Sequence, residues 1–444
     1  MYRAATDPGA TPGSGDAIVI GGSMAGLLAC RVLADYYKRV ILIERDTFPA
    51  LGEQRRGVPQ GKHSHGLLAS GRQVLEDLFP GISNDLIEAG AVAGDVARDV
   101  RWFNEGGCLS RFPSGLQGLL MSRPFLEGMV RRRVLALKNV LAQEDCQVQG
   151  LAATDDRGRV TGVQISGGTI AGDLIVDATG RGSHSPQWLE SLGYGKPPEE
   201  KVEVALNYTT RFFRRQAHHL QGDVAAVIPP TPEGKRGGVM LAQEGDRWTV
   251  TLIAHFGGSA PGELAGFIEF ARDLPARYIY DVVREAEPIG EPALTRFPAS
   301  IRHRYEKLER FPAGYLVFGD AMSSFNPIYG QGMSVAALQA LELNKTLSEG
   351  TQDLAQRFFA RAATVVDIPW SIAVGNDLRM PEATGPRTFG VKLINWYMSK
   401  LHRAAHQDPV PALAFHRVAN LLAPPPSVMA PRVALRVLKH SLVG

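Results

Sequence analysis

Cysteine is scarce in this sequence, with three in 444 residues, at Cys30, Cys108 and Cys146. They form no CxxC and no even set, which argues against a disulfide framework or a zinc ribbon and favours a reduced, cytoplasmic setting. Charge of one sign is not in excess either. Forty-eight Lys and Arg stand against 45 Asp and Glu, a formal net charge of +3, too small to argue for a nucleic-acid partner. No run of 18 apolar residues occurs, so no spanning helix is expected. No internal repeat stands out. The opening residues 1–15 are polar and rich in Gly and Pro; they read as a disordered lead-in without the apolar core of a signal peptide. What remains is ordinary globular chain, 44% hydrophobic and 21% charged, of a length that suits two or three domains.

What the sequence does have begins at residues 16–44, DAIVIGGSMAGLLACRVLADYYKRVILIE. Residues 17–20 are a short apolar run of the kind a buried parallel strand shows. Gly21-Gly22-Ser23-Met24-Ala25-Gly26 follows at once. Leu27, Leu28, Ala29, Val32 and Leu33 are then spaced for a helix face against a sheet. A second apolar strand covers 40–43, and Glu44 ends it. Strand, glycine turn, helix, strand, acid is the order of the first βαβ unit of a dinucleotide-binding fold. Gly21 permits the tight turn, and Gly26 lets the helix pack close to the strand. Ser23 stands where the backbone approaches a pyrophosphate and glycine is usual; its hydroxyl adds a donor. The helix start at Met24 and Ala25 points free N–H groups and a partial positive charge at the diphosphate. Glu44, 23 positions after Gly21, can accept from ribose hydroxyls, which favours FAD or NAD over NADP. Two rivals are a hydrolase nucleophile elbow at Ser23, disfavoured because one strand alone precedes it, and a glycine turn with no ligand.

Further along, Arg45, Arg55 and Arg56 flank a Gly/Pro loop, and a helix is expected from about 67 to 78. His63 and His65 invite a metal reading, but no third ligand is near, so no metal is assigned and surface or supporting roles are expected. Short alternating patches between 81 and 114, such as Val100-Arg101-Trp102-Phe103, suggest antiparallel strands. Ser122 is a candidate N-cap, Pro124 suits the first helical position, and Arg131-Arg132-Arg133 reads as a solvated helix end. Strands are expected around Val148, over 160–165 and over 174–176, with Asp155-Asp156-Arg157-Gly158 as a hairpin turn. Residues 201–213 and 247–255 alternate clearly and belong to a different sheet. Beyond 350 the pattern is mostly helical, interrupted at Pro381, Pro386 and Pro424 to Pro426. There Trp396, Tyr397, Met398, Lys400, Leu401 and Arg403 mark an amphipathic stretch. Packing against the FAD domain is the preferred reading, and a membrane surface is the alternative.

A late motif decides between the dinucleotides. Tyr315-Leu316-Val317-Phe318 is an apolar strand that ends in Gly319-Asp320. Residues 321–340, AMSSFNPIYGQGMSVAALQA, then run through a Pro/Gly loop into an Ala-rich helix. The Asp320 carboxylate can accept from a ribityl hydroxyl. The helix beginning near 331–334 would aim its N–H groups at a flavin pyrimidine carbonyl, where negative charge builds on reduction. Gly330 and Gly332 would let the backbone lie against the ring. Placed about 300 residues after the glycine turn, this motif favours FAD over NAD.

Five stretches carry a resemblance to FAD-dependent monooxygenases of the para-hydroxybenzoate hydroxylase fold, and among them to bacterial polyether-pathway alkene epoxidases. They are VIGGSMAGL, RRGVPQGKHSHGLLASG, DATGRGSHSPQWLESLGY, GDAMSSFNPIYGQGMSVAALQA, and the tail pair PW and GNDLRMP. The resemblance implies an α/β fold with a Rossmann-like, glutathione-reductase-type FAD-binding domain that is discontinuous over 16–80, 118–190 and 296–348. A β-rich substrate domain would take 81–117 and 191–295, and a helical C-terminal region 349–444. By the same resemblance Gly21, Ser23, Met24, Ala25, Gly26, Glu44, Arg45, Arg56, Arg123 and Asp320 are FAD contacts, while Pro327, Gly330, Gly332 and Met333 flank the ring.

The activity so implied inserts one oxygen atom from dioxygen into a hydrophobic small molecule by way of a flavin C4a-hydroperoxide. Epoxidation of an alkene in a polyketide or terpenoid of secondary metabolism is favoured. An aromatic hydroxylase or an isoprenoid double-bond reductase is the alternative, and outside redox a flavoprotein scaffold or non-redox cyclase. Electrophilic transfer needs no acid–base dyad, and no catalytic side chain is assigned. One departure stands out: family hydroxylases carry Asp-Gly where this chain has Thr179-Gly180. Reduction by NAD(P)H directly, or through a separate flavin reductase, therefore stays open, with Asp177 as the acid nearest that position.

Overall fold

The computed structural model describes residues 15–443, so all but Gly15 of the expected lead-in lies outside the described residues. Five strands form a parallel sheet in the order Tyr315–Val317, Leu174–Asp177, Asp16–Ile20, Arg39–Ile43, Val140–Gln143. Their apolar runs are those of strands covered on both faces: Ile18, Val19, Val40, Leu42, Ile175 and Leu316 are fully buried. Ile18 pairs with Ile175 on one side and Ile41 on the other. The first strand is thus central: the chain steps outward from it through Arg39–Ile43 to Val140–Gln143, then returns to its other side at Leu174–Asp177. Such a switch point opens a crevice at the carboxyl ends of the strands, which is where Gly21 begins. Helix Met24–Leu33 packs on this sheet through Leu27, Leu28 and Val32, and helix Gly332–Ser348 lies against it in the same core. The edge strand Val140–Gln143 was not expected from the sequence, and Val148, where a strand was expected, lies between strands. A small antiparallel sheet, Gly150–Ala153, Val160–Ile165 and Gly168–Ala171, turns at 155–158, with Arg157 at φ +57°.

The second large sheet has eight strands, in the order Ser323–Ser324, Pro288–His303, Glu199–Arg214, Arg247–His255, Arg236–Gln243, Ala225–Ile228, Val100–Asn104, Gly107–Cys108. It is antiparallel except where Val100–Asn104 runs parallel to Ala225–Ile228. The region 81–114 holds the antiparallel strands expected there, Val100–Asn104 against Gly107–Cys108 and Val92–Asp95 against Gln117–Leu120, but it opens with a helix, Ile82–Glu88. Helices Leu264–Arg272 and Tyr278–Val283 pack on this sheet through Phe267 and Ile279.

In the C-terminal part, helix Leu354–Asp377 is long and apolar enough to cross a membrane by length and composition, with a mean hydropathy of 1.2. Its Phe358, Phe359 and Ala362 are buried in the core that helix Gly332–Ser348 shares. Helices Phe389–Ala405, Pro409–Ala419 and Pro431–Val443 form a small bundle around Leu401, Val418, Val433 and Val437. This bundle packs on the edge of the eight-stranded sheet, not chiefly on the parallel-sheet domain as expected. Ser110 N donates to Ala405 O at 2.8 Å, and Trp102 meets Phe415 edge-on at 5.3 Å.

Candidate functional site

The glycine turn behaves as its residues require. Gly21 sits at φ +99°, and a Cβ there would come within 2.8 Å of Ala178 O. A Cβ on Gly26 would lie 1.8 Å from Gly21 O, so only glycine allows this helix to meet the strand. Met24 is buried beneath the turn, and Ala25 is half-buried beside Gly319. A Cβ on Gly319 would fall 2.6 Å from that of Ala25. The two motifs, far apart in sequence, meet at this contact.

Around the turn lies a network of charges that the sequence did not reveal. Glu44 accepts from Gly22 N at 2.7 Å and Asp46 N at 3.1 Å, and it pairs with Arg55 at 2.7 Å. Arg55 also pairs with Glu127 at 3.1 Å. Ser23 Oγ donates to Glu127 at 2.9 Å and accepts from Arg123 Nη2 at 2.8 Å. Burial pushes the Glu44 carboxyl up, but the Arg55 guanidinium and the two N–H donors outweigh it and hold the group below its ordinary value. Glu44 uses three of about four lone-pair sites, leaving one for a ribose hydroxyl. Arg55 and Glu127 were not among the expected contacts. Arg45 and Arg56, which were, are both exposed. Arg131, expected on a solvated end, is buried, donates to Pro49 O at 2.8 Å and lies over Phe48 at 4.9 Å.

At the other end, Asp320 makes no hydrogen bond or ion pair with any described residue. Burial raises its carboxyl above the ordinary range, against the pull of Arg123 and Arg181. Its Oδ1 lies 3.5 Å from the Cβ position of Gly332, the first residue of helix Gly332–Ser348. Before that helix, Asn326 caps the turn Pro327–Tyr329, and Gly330 follows at φ +63° against the backbone of Gly66. Gln331 is buried with Oε1 unpartnered, and Met333 is buried.

The segment 61–66 is clamped to the eight-stranded sheet. His63, expected at the surface or in support, is buried and spends both ring nitrogens on threonines, Thr210 at 2.8 Å and Thr295 at 2.7 Å. Ser64 N donates to Thr251 at 3.2 Å. Burial pushes His63 down to about 4 and His65 to about 3, so both are neutral near pH 7. The Asp177 carboxylate is also committed. It accepts from Thr179 N at 2.9 Å, Thr179 Oγ1 at 2.6 Å and Ser183 Oγ at 2.6 Å, as well as from Ser185. It folds the turn after its strand and is fully buried.

Among the described residues one His/His/Glu group, His218, His219 and Glu285, is close enough to share an ion. His219 Nδ1 accepts from Trp248 Nε1 at 3.0 Å, which puts the ring proton on Nε2 facing Glu285. That is a hydrogen-bonding arrangement and not a ligand set.

The residues fit a flavin dinucleotide. A helix start stands free at a glycine turn, a carboxyl without a partner stands by a second helix start, and glycines line both. No family model matches the chain. It is 34% identical to Protein Rv3254 of Mycobacterium tuberculosis over 456 residues, 96% of this chain and 94% of that protein. Its fold is similar to a flavoprotein/dehydrogenase from Cytophaga hutchinsonii, with TM-score 0.67, 13% identity, and 97% and 98% of the two chains covered. A similar fold is found in PqsL, a probable FAD-dependent monooxygenase from Pseudomonas aeruginosa, with TM-score 0.62, 15% identity, and 82% and 97% covered. The architecture is thus the fold that these two proteins share.

Proposed function

We propose, for a chain that belongs to the family of Protein Rv3254 of Mycobacterium tuberculosis, that it is an FAD-dependent monooxygenase of a hydrophobic small molecule, with alkene epoxidation as the favoured reaction. The observation that carries this reading is Asp320, an unpartnered carboxyl beside the start of helix Gly332–Ser348, joined to the glycine turn by the close approach of Gly319 and Ala25. FAD when bound supplies the activation of dioxygen. The protein's part is to hold, orient and keep dry.

The start of helix Met24–Leu33 and Arg123 would hold the diphosphate, and Glu44 a ribose hydroxyl. Asp320 would accept from the ribityl chain, and the N–H groups at Gly332 and Met333 would offset negative charge on the ring. The clamped segment 61–66 and the Gly330 backbone would cover the ring from water. His63 is a poor general base, because taking a proton would break one of its two threonine bonds. That favours epoxidation over phenol hydroxylation, which wants a base. Reduction would come from a separate flavin reductase or free reduced flavin. Thr179 brings no charge, and Asp177 is spent on its own turn.

The test is on purified protein. Bound FAD, oxygen uptake once the flavin is reduced, and a product heavier by one oxygen atom from labelled dioxygen are expected, with the product opening to a diol in acid. Protein that binds no flavin, or reduced flavin that takes up no oxygen, sinks the proposal. A phenol product would leave the monooxygenase and replace the epoxidase. For the electron source, NADPH mixed anaerobically with substrate-loaded enzyme should bleach the flavin well below a typical turnover of ~10 per second; bleaching at or above that rate ends the separate-reductase reading.

A further inference from the structure

Residues 383–444 hold eight Lys and Arg and a single acid, Asp408, so this stretch carries +7 while the rest of the chain carries −4. Asp408 is itself buried and faces Arg436 and His440. The surface of the last helices is therefore almost purely cationic, in a protein that is otherwise slightly acidic.

Apolar groups stand among those cations. In helix Phe389–Ala405, Phe389, Leu393 and Trp396 are 81%, 51% and 60% exposed, at positions that share one face. Lys400 falls on the same stripe, and Lys392 borders it. In helix Pro431–Val443, Leu435, Leu438 and Leu442 are 68%, 58% and 86% exposed and again fall on one face, flanked by Arg432 and Lys439. Each helix turns this stripe away from the core that joins them, made by Leu401, Val433 and Val437. Lys392, Lys400, Arg432 and Lys439 take part in no ion pair among the described residues, so their charge is free to act outward. Neither helix contains an acidic residue.

We infer that these helices dock on an anionic lipid bilayer, with their exposed leucine and aromatic side chains entering the interface and the lysines and arginines meeting headgroups. A helix with a cationic polar face and Trp, Phe and Leu on the other is built for the plane of an interface. A second copy of the chain does not fit, since two cationic surfaces repel each other at the contact. The inference goes beyond the proposed reaction and stands without it.

Full-length protein is to be sedimented with vesicles of phosphatidylcholine and phosphatidylglycerol, and with vesicles of phosphatidylcholine alone. Binding to the anionic vesicles, weakened by salt and accompanied by a blue shift of Trp396 emission, is expected. Trp396→Glu with Leu438→Glu should abolish it while the melting temperature holds, because both side chains lie in solvent. Lys392→Glu and Lys439→Glu should each lower partitioning about fivefold or more. Equal binding to both vesicle types, or to neither, overturns the inference. So does a dimer formed without lipid and lost in Trp396→Glu, or capture by an acidic protein with no vesicle binding.

Discussion

The two ends of the candidate site solve the problem of buried charge in opposite ways. Around the glycine turn every charge has a partner inside the protein: Glu44, Arg55, Glu127 and Arg123 form one chain through Ser23. At the Gly332 end the charge is left open. Asp320 has no partner among the described residues, and Gln331 Oε1 is buried without one. The carboxyls move accordingly, Glu44 below its ordinary range and Asp320 above it. A group already paired stabilises the empty protein, whereas an open one destabilises it and is reserved for what binds. The first end is a scaffold that can also touch a ligand; the second is a vacancy in the protein's own hydrogen bonding.

The comparison breaks most readily at Glu127. Its removal leaves Arg55, whose side chain is 6% exposed, with Glu44 and a longer 3.8 Å contact to Asp46, and strips Ser23 of its acceptor. Glu127→Ala should destabilise the flavin-free protein by about 3–5 kcal/mol, read as a fall in the urea midpoint. An unchanged midpoint would mean the network is ornamental to the fold. Glu44→Ala should act in the same direction, since it also frees Arg55.

Asp320→Asn sharpens the contrast because its two effects should have opposite signs. Flavin affinity should fall by about 1.5–3 kcal/mol, the worth of a hydrogen bond to a charged group, as measured by titration of the apoprotein. Stability of that apoprotein at neutral pH should hold or rise, because a half-buried carboxylate without a partner is removed. A loss of both would place Asp320 among the paired groups. Gly332→Ala is the finer version. Its Cβ would meet only Asp320 Oδ1, at an ordinary 3.5 Å, and Gly332 is the first residue of its helix, so no clash or propensity cost is expected. Apoprotein stability should therefore hold while flavin affinity drops. If affinity also holds, the backbone at Gly332 does not lie on the ring.

What could be read from the sequence follows from how far each contact reaches. Gly21, Gly26 and Glu44 belong to one βαβ unit, and their spacing alone fixes their relation. Gly319-Asp320 and the loop to Gly332 form a second local unit, legible for the same reason. Arg55–Glu127 joins residues 72 apart, met where helix Arg123–Leu135 packs in the parallel-sheet core, and His63–Thr295 joins residues 232 apart, met where the segment 61–66 reaches the eight-stranded sheet. No local pattern marks Arg131 as buried, since its cover is Pro49 and Phe48 from another segment. Val140–Gln143 gave a weak strand signal because two of its four residues are exposed at the sheet edge. Asp177 was visible as an acid near the right place; that its oxygens are already spent on Thr179, Ser183 and Ser185 takes three dimensions to see.

The last prediction concerns a third carboxyl, Asp377, which stands between the two extremes. Its Oδ1 accepts from Asn326 Nδ2 at 2.8 Å and Tyr329 OH at 2.7 Å, holding the Pro327–Tyr329 turn, while Oδ2 is buried with no partner. It ends helix Leu354–Asp377, where the negative pole of the helix adds to the cost of a second negative charge. Burial pushes it up to about 7, with the two donors opposing. The folded protein therefore keeps this proton between roughly pH 4 and 7 while the unfolded chain loses it. Stability is full below the unfolded value and falls as pH rises through that window, by no more than about 1.4 kcal/mol per pH unit. The neutral histidines His63, His65, His402 and His416, held near 4, 3, 3 and 4 chiefly by burial, act oppositely, since acid charges them first in the unfolded chain. The bulk pH curve is consequently a sum of opposing slopes, and only a difference isolates Asp377. Asp377→Asn carries no titrating proton, so its stability relative to the parent should climb from pH 5 to pH 7 and then level. Parallel curves for parent and variant across that range would show that the carboxyl is ionised throughout, and the Gly332 end of the site would then hold Asp320 as its one reserved acid.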